Sequence, residues 1–253
     1  MNQSMHTAIP ATYQAQLEEL QGRVIAITGA GDGIGQAVAV AAASHGAEVV
    51  LIGRTVRKLE AVHARIAALG RAQASIAPLD LEKAVARDYD QLADALLQRY
   101  GRLDGLLHNA GMLGSLAPIE QYDVPTWCRV LHVNLTAAFA LTQVLLPALQ
   151  ASADASVVFT GSSEGRQPRA YWGAYAVSKS AIESLSRVLA DEMENLHKVR
   201  VNVFSPGAVR TRLRRQAFPA EELGSLPEPQ MIVQPYLWLL GPASRGVSGQ
   251  SLG

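Results

Sequence analysis

Arg23-Val24-Ile25-Ala26-Ile27-Thr28-Gly29-Ala30-Gly31-Asp32-Gly33-Ile34-Gly35 decides how the chain folds. An apolar, β-branched run that ends in glycines predicts a buried strand entering a tight turn. The Ala-rich stretch from Ala37 to Ala43 follows and predicts a helix. Backbone N–H groups and a helix N-terminus then meet at one spot, which is an anion site suited to a pyrophosphate. The spacing is Thr-Gly-x-x-x-Gly-x-Gly, which differs from the longer Gly-x-Gly-x-x-Gly fingerprint.

The next apolar run, Ala47 to Gly53, should end beside an adenosine ribose. An Asp or Glu there would accept bonds from both ribose hydroxyls, but this chain places Gly53 at that point and Arg54 directly after it. Thr55, Arg57 and Lys58 follow, so the local charge suits a 2′-phosphate. NADP(H) is the preferred cofactor on this reading, with NAD(H) second.

Further along, Ser156-Val157-Val158-Phe159-Thr160 runs into Ser162 and Ser163, and then come Tyr175 and Lys179. On a helix the Tyr-x-x-x-Lys spacing puts both side chains on one face. A phenol titrates near ~10, so it exchanges protons poorly at neutral pH. Lowering that value by about three units takes about 4 kcal/mol of differential stabilisation. A desolvated lysine one turn away, helped by an oxidised nicotinamide, is the expected source.

Composition fits one α/β enzyme domain. The 253 residues suffice for a large core, and 22 basic residues balance 22 acidic ones. Nothing in that balance favours nucleic acid or an anionic membrane. Cys128 is the only cysteine, so no internal disulfide forms and a reducing cytoplasm is the expected location. The N-terminus lacks the charged-then-apolar pattern of a secretory signal. Val130 to Ala153 has no charged side chain, yet Asn134, Thr136, Thr142, Gln143 and Pro147 argue for a helix buried in protein rather than in lipid. No metal-binding cluster is expected.

Strands are predicted at Arg23–Thr28, Ala47–Gly53, Ala74–Leu79, Leu103–His108, Ser156–Thr160, Val199–Ser205 and near Gln250. Helices are predicted near Gly33–His45, Arg57–Leu69, Glu82–Tyr100, Thr126–Leu149 and Ala174–Leu196. That alternation gives a doubly wound α/β fold with one mostly parallel seven-stranded sheet flanked by helices. Residues 1–20 are expected as a loosely ordered arm with a short helix around Leu17 and Leu20, and residues 21–253 as a single domain.

Thr28-Gly29-x-x-x-Gly33-Ile34-Gly35, Asn109-Ala110-Gly111, Asn134, Ser162, Tyr175-x-x-x-Lys179 and Pro206-Gly207, in this order, resemble the short-chain dehydrogenase/reductase family over nearly the whole chain. Leu106 to Gly111, Gly165-Arg166-Gln167 and Trp172 to Ala176 are similar to its YciK-type bacterial branch. The resemblance implies a Rossmann fold and an oxidoreductase acting on a small-molecule carbonyl or alcohol. It implies Tyr175 as general acid and base, Lys179 holding the nicotinamide ribose and lowering the Tyr175 pKa, Ser162 orienting the substrate oxygen, and Asn134 keeping a water near Lys179. It also implies Gly29, Gly33, Ile34 and Gly35 around the pyrophosphate, Arg54 at the 2′-phosphate, and Asp80 and Leu81 at the adenine. Asn109 and Gly111 would close over the adenosine, while Pro206, Gly207, Val209 and Thr211 would follow the carboxamide. A homodimer or homotetramer is implied as well.

Two residues depart from the family pattern. His108 stands where many members carry Asn, and reads as a satisfied structural histidine. Asp32 sits in the glycine turn where some NADP-dependent members place a basic residue, so the cofactor preference rests on Arg54.

Gly161-Ser162-Ser163-Glu164-Gly165 also satisfies the serine-hydrolase elbow, with Asp191 and His197 in the required order. Pro168 disfavours the long helix which that motif needs. A dinucleotide sensor would need the glycine turn without the proton-transfer set, and all four members of that set are present. Segments 163–172 and 213–231 should border the substrate, with Arg166, Arg169, Trp172, Leu213 and Phe218 as candidate contacts.

Overall fold

In the computed structural model, which describes residues 8–70, 73–196 and 198–253, seven strands form one all-parallel sheet in the order β3-β2-β1-β4-β5-β6-β7. They are β1 (Val24–Thr28), β2 (Glu48–Gly53), β3 (Ala74–Pro78), β4 (Gly105–His108), β5 (Ala155–Thr160), β6 (Val199–Phe204) and β7 (Ser251–Leu252). Chain order reverses between β1 and β4, and an open parallel sheet binds ligands at the carboxyl ends beside such a switch. All five residues of β1 are buried, as a central strand covered on both faces requires.

Side chains alternate between two cores. Ile25, Ile27, Val49, Leu51 and Leu107 face one apolar cluster, which is closed by α1 (Gly33–Ser44), α2 (Val56–Ala67) and the late helix Gln234–Leu240. Val24, Ala26, Val50, Ile52 and Leu106 face the other, closed by α3 (Ala86–Tyr100), by the helix Ala137–Gln150 and by the long helix Gly173–Met193. The remaining helices are α4 (Val124–Leu131) and α6 (Ser163–Arg166), with α8 (Arg212–Ala217) beyond β6; the three already named by range become α5 (Ala137–Gln150), α7 (Gly173–Met193) and α9 (Gln234–Leu240).

The structure revises several expectations. The helix expected over Thr126–Leu149 runs from Val124 to Gln150 but contains a π turn, His132–Thr136, centred on Asn134. It is long and apolar enough to cross a membrane, and Ala137, Ala138, Leu141, Leu145, Ala148 and Leu149 of its α5 part are buried in the second core. The helix expected from Glu82 starts at Ala86, because Lys83 and Ala84 first turn back onto the Asp80 carbonyl.

The expected arm helix is absent among the described residues. Leu17 and Leu20 lie in turns; Leu20 is fully buried, and its N–H donates to the His45 carbonyl at 2.9 Å. Ile9, Tyr13 and Ala15 pack on the first core, so the chain is tied down from there on. Residues 1–7 of the expected arm lie outside the described residues.

Candidate active site

The glycine turn is shaped by contacts that only glycine permits. Gly29 and Gly33 adopt φ of 67° and 52°, the left-handed region where a Cβ is strained. A Cβ on Gly35 would lie 2.4 Å from the Gly29 carbonyl oxygen and 2.6 Å from Asn109 Nδ2. The start of α1 is thereby pressed against the end of β1. Thr28 Oγ1 clamps the same spot from β1: it accepts from Asn109 N at 3.0 Å and Ala110 N at 3.1 Å. Thr28 was visible in the sequence only as a strand end, and its two-donor clamp needs β4 alongside to be seen.

Asp32 caps α1 by accepting from Gly33 N at 2.8 Å, and Lys58 Nζ donates to its other oxygen at 2.5 Å. The Lys58 hydrogen bond, against a smaller effect of burial, holds the Asp32 carboxyl below its usual range. Part of the charge expected at the end of β2 is therefore already paired. Arg54 lies 3.7 Å from Glu82, and its side chain is 63% exposed at the cleft wall.

The glycine turn opens into a cleft of about 1100 Å³ along the carboxyl ends of β1 to β6. Gly29, Gly33, Ile34, Arg54, Asp80, Leu81, Asn109, Gly111, Ser162, Tyr175, Lys179, Pro206, Gly207, Val209 and Thr211 all line it. Gly35 and Asn134 do not reach the surface of this cleft; Gly35 acts through the close approach just described.

Asn134 is buried behind the cleft. Its Oδ1 accepts from Met112 N at 2.8 Å, and its Nδ2 donates to the Met112 carbonyl and to Ser178 Oγ, both at 3.0 Å. The π turn that carries it borders a cavity of about 10 Å³ shared with Lys179, Thr160 and His108. That is near the smallest space that holds one water. Single π turns concentrate at functional sites, and no local sequence signal announced this one.

Tyr175 and Lys179 lie one turn apart on α7, both buried, with Lys179 Nζ 5.8 Å from the phenol ring centre. Lys179 Nζ donates to the Thr160 carbonyl at 2.7 Å at the end of β5. Burial pushes the Lys179 ammonium down to about 8. Burial also pushes the Tyr175 phenol up to about 12; a bond with Ser162 opposes this and the Glu164 charge reinforces it. Among the protein's own groups, then, desolvation outweighs the Ser162 bond, and the phenol is raised where the expectation was a lowering by Lys179 together with an oxidised nicotinamide. Glu164 accepts from Ser162 Oγ at 2.6 Å and Ser163 Oγ at 3.0 Å and is paired with Arg169, a constellation that the sequence did not single out.

Other side chains sort themselves. Arg169, Trp172, Leu213 and Phe218 line the cleft, whereas Arg166 turns away and donates to the Gly253 carbonyl at 2.6 Å. Ser163 faces Glu164, Asp191 lies about 24 Å along α7 from Tyr175, and His197 falls outside the described residues. No hydrolase triad is assembled among the described residues.

His108 stacks on Phe159 at 4.8 Å, and its Nε2 lies 2.8 Å from Thr142 Oγ1. Thr142 gives its only hydrogen to the Ala138 carbonyl, so Nε2 is the donor of that pair. Burial pushes the ring down to about 3. An unfolded chain takes up this proton below about 6.5 and the folded one resists until about 3, so stability falls as pH drops through that window. Urea unfolding near neutral pH and near about pH 4.5 should show His108→Gln losing roughly 2–3 kcal/mol less than the natural protein. Equal losses would remove His108 as a source of acid sensitivity.

Comparison with known proteins agrees with this geometry. Residues 23–222 match the family described as short chain dehydrogenase. The chain is 44% identical to the oxidoreductase YciK of Escherichia coli over 239 residues, 94% of each protein. It is 37% identical over 203 residues to a Pseudomonas aeruginosa 3-oxoacyl-acyl-carrier-protein reductase of rhamnolipid biosynthesis, covering 78% of this chain and 76% of that one. A crystal structure of a short chain dehydrogenase from Escherichia coli complexed with NADPH superposes with a TM-score of 0.89 at 45% identity, covering 94% of this chain and 98% of that one.

Proposed function

The chain belongs to the short-chain dehydrogenase family of oxidoreductases, and from that premise we propose that it uses NADP(H) to interconvert a carbonyl and an alcohol, with Tyr175 as general acid and base. One observation carries the proposal: Ser162, Tyr175 and Lys179 line the same cleft as the glycine turn at the α1 N-terminus. The residues present fit the cofactor. The turn presents backbone N–H groups and a helix N-terminus to a pyrophosphate, and Arg54 stands where a 2′-phosphate would need a cation.

Bound NADPH supplies the hydride. Tyr175 gives its proton to the developing alkoxide, Ser162 orients that oxygen, and Lys179 holds the nicotinamide ribose while its ammonium compensates the phenolate left behind. Trp172, Leu213 and Phe218 give the substrate end an apolar wall, with Arg169 and Arg214 beside it. A ketone on an acyl chain suits that wall, and the 3-oxoacyl relative puts such thioesters first in a test panel. NADPH oxidation across that panel tests the reading, and NADPH binding with no turnover of any carbonyl would favour a sensor instead.

Arg54→Ser should lower kcat/KM for NADPH by about tenfold or more, the worth of one charge-assisted hydrogen bond, and leave NADH nearly unchanged. Equal losses with both cofactors would remove Arg54 as the selector. The outward sides of α5 and α7 expose Phe139, Val177 and Val188, and we assign these faces to a homodimer or homotetramer. A monomeric mass in solution at working concentration would contradict that assignment.

A further inference from the structure

We propose that Glu221 is a positioning residue that sets substrate choice: by pinning Arg214 against Phe218 it leaves the part of the cleft beside Tyr175 without an unpaired cation. The site then selects ketones whose neighbouring group is apolar and uncharged, and it turns away keto carboxylates. The inference deepens the oxidoreductase reading and rests on it.

The chain builds this device from a short helix whose two ends are fixed. Thr211 caps α8, its Oγ1 accepting from Arg214 N at 3.1 Å, and Pro219, which has no N–H to give, cannot continue the helix. In the turn that follows, Glu221 N donates to the Phe218 carbonyl at 3.1 Å, which folds Glu221 back onto α8. One guanidinium then takes both carboxylate oxygens: Arg214 Nε donates to Oε2 at 2.7 Å and Nη2 to Oε1 at 2.6 Å. Such a fork fixes the plane of the guanidinium as well as its place. Its central carbon lies 3.8 Å from the centre of the Phe218 ring, at stacking distance.

Phe218 begins a row of rings that leads to the reacting group. Its centre lies 5.6 Å from that of Trp172, and the Trp172 centre lies 5.7 Å from that of Tyr175. With Leu113, Leu213 and Ala217 these rings form an apolar cluster separate from the two cores, and all of its members named here line the cleft. A group attached to a carbonyl held at Tyr175 therefore meets aromatic and aliphatic surface.

The charge around that surface is already matched. Arg169, 5.2 Å from the Trp172 ring centre, is paired with Glu164 as Arg214 is with Glu221. The Arg214 bond holds the Glu221 carboxyl below its usual range, so this pair stays ionised at neutral pH. Lys179 is buried and bonded to the Thr160 carbonyl. Of the other cations that line the cleft, Lys58 pairs with Asp32, and Arg54 and Arg129 lie 3.7 and 3.9 Å from Glu82. Arg212 has no such pair among the described residues, but Thr211 before it lies 3.5 Å from where a Cβ on Gly33 would stand, at the glycine turn. A carboxylate beside the carbonyl would lose its water against these rings and find no cation free to replace it.

The test compares ethyl benzoylformate with benzoylformate, which differ in whether an ester or a carboxylate stands beside the ketone. With NADPH, the full-length protein should reduce the ester with a kcat/KM at least about a hundredfold above that for the acid, the consequence of desolvating a charged group left without a partner. Glu221→Gln keeps the shape but leaves Arg214 with a net charge, and should raise the acid-to-ester ratio of kcat/KM by about tenfold, chiefly through KM for the acid. Adding Arg214→Met to that variant should return the ratio to its starting value, which a mere loosening of α8 would not do. Preference of the natural protein for the acid, or turnover of other carbonyls but not of the ester, overturns the proposal, and this first comparison decides even where a substitution prevents folding. A ratio unmoved in folded Glu221→Gln, or a gain that survives Arg214→Met, overturns it as well. Carbonyl reduction undiminished in Tyr175→Phe, or absent for every carbonyl while NADPH still binds, rejects instead the function on which the proposal rests.

Discussion

Tyr175→Phe is expected to lower kcat/KM for NADPH-dependent carbonyl reduction by about a hundred- to ten-thousand-fold, the range for loss of a positioned general acid. NADPH affinity should stay within about twofold, because the ring and its neighbours remain and only a hydroxyl leaves. Phe keeps the apolar contact with Trp172, whose ring centre lies 5.7 Å from that of Tyr175, so unfolding stability should change by no more than about 1 kcal/mol. Steady-state rates with the most active carbonyl, together with an NADPH titration, measure both quantities. Rates equal to those of the natural protein would mean that the proton comes from elsewhere, and the assignment of Tyr175 would be withdrawn.

The same pair predicts how the rate depends on pH. With the phenol pushed up to about 12 and the lysine down to about 8, Tyr175 is an acid and Lys179 a cation throughout the neutral range. Raising pH through about 8 discharges Lys179 first, which removes the charge that compensates a developing phenolate. Reduction should therefore be flat below that point and decline above it. A decline that persists unchanged in Lys179→Met, measured on its residual activity, would assign it to another group.

Much of this site could be read from residue order because its parts are local. A strand that ends in Thr28 and a turn with three spaced glycines announce themselves over a dozen residues, and Tyr175 and Lys179 need only one helix to meet. What the sequence concealed depends on neighbours distant in the chain. The π turn at Asn134 interrupts an apolar run that is uniformly helical by composition. The helix α9 has Tyr236 to Leu240 all buried, so no polar face gave it a period to detect. Leu20 read as part of a short helix in a loosely ordered arm, whereas its N–H is taken by His45 and its side chain by the first core. The position of Tyr175 was legible, but the sign of its pKa shift was not: burial and the Glu164 charge outweigh the Ser162 bond, and Lys179 is engaged with the Thr160 carbonyl.

Gly35→Ala and Gly111→Ala, compared side by side, should separate the architecture of the cleft from its lining. A methyl on Gly35 would lie 2.4 Å from the Gly29 oxygen, 2.6 Å from Asn109 Nδ2 and 2.9 Å from the Gly29 carbonyl carbon. Two of these three are backbone atoms, so no side-chain rotation relieves the overlap, and α1 must move away from β1. Overpacking of this kind costs about 1–3 kcal/mol or more, and the displaced helix takes its N–H groups away from the anion site. Gly35→Ala should therefore lose both unfolding stability and at least about a hundredfold in NADPH affinity, the worth of roughly two backbone hydrogen bonds to a charged group. A methyl on Gly111 would meet Asn134 Oδ1 at 3.5 Å and Lys179 Nζ at 3.9 Å, which are ordinary contacts. Gly111→Ala should unfold with the natural protein but bind NADPH more weakly, because its methyl intrudes only on the cleft. Urea denaturation and NADPH titration on the two variants give four numbers. If Gly35→Ala keeps full stability and affinity, close approach of α1 to β1 is not what builds the site, and the glycine turn loses its place as the cofactor's anchor.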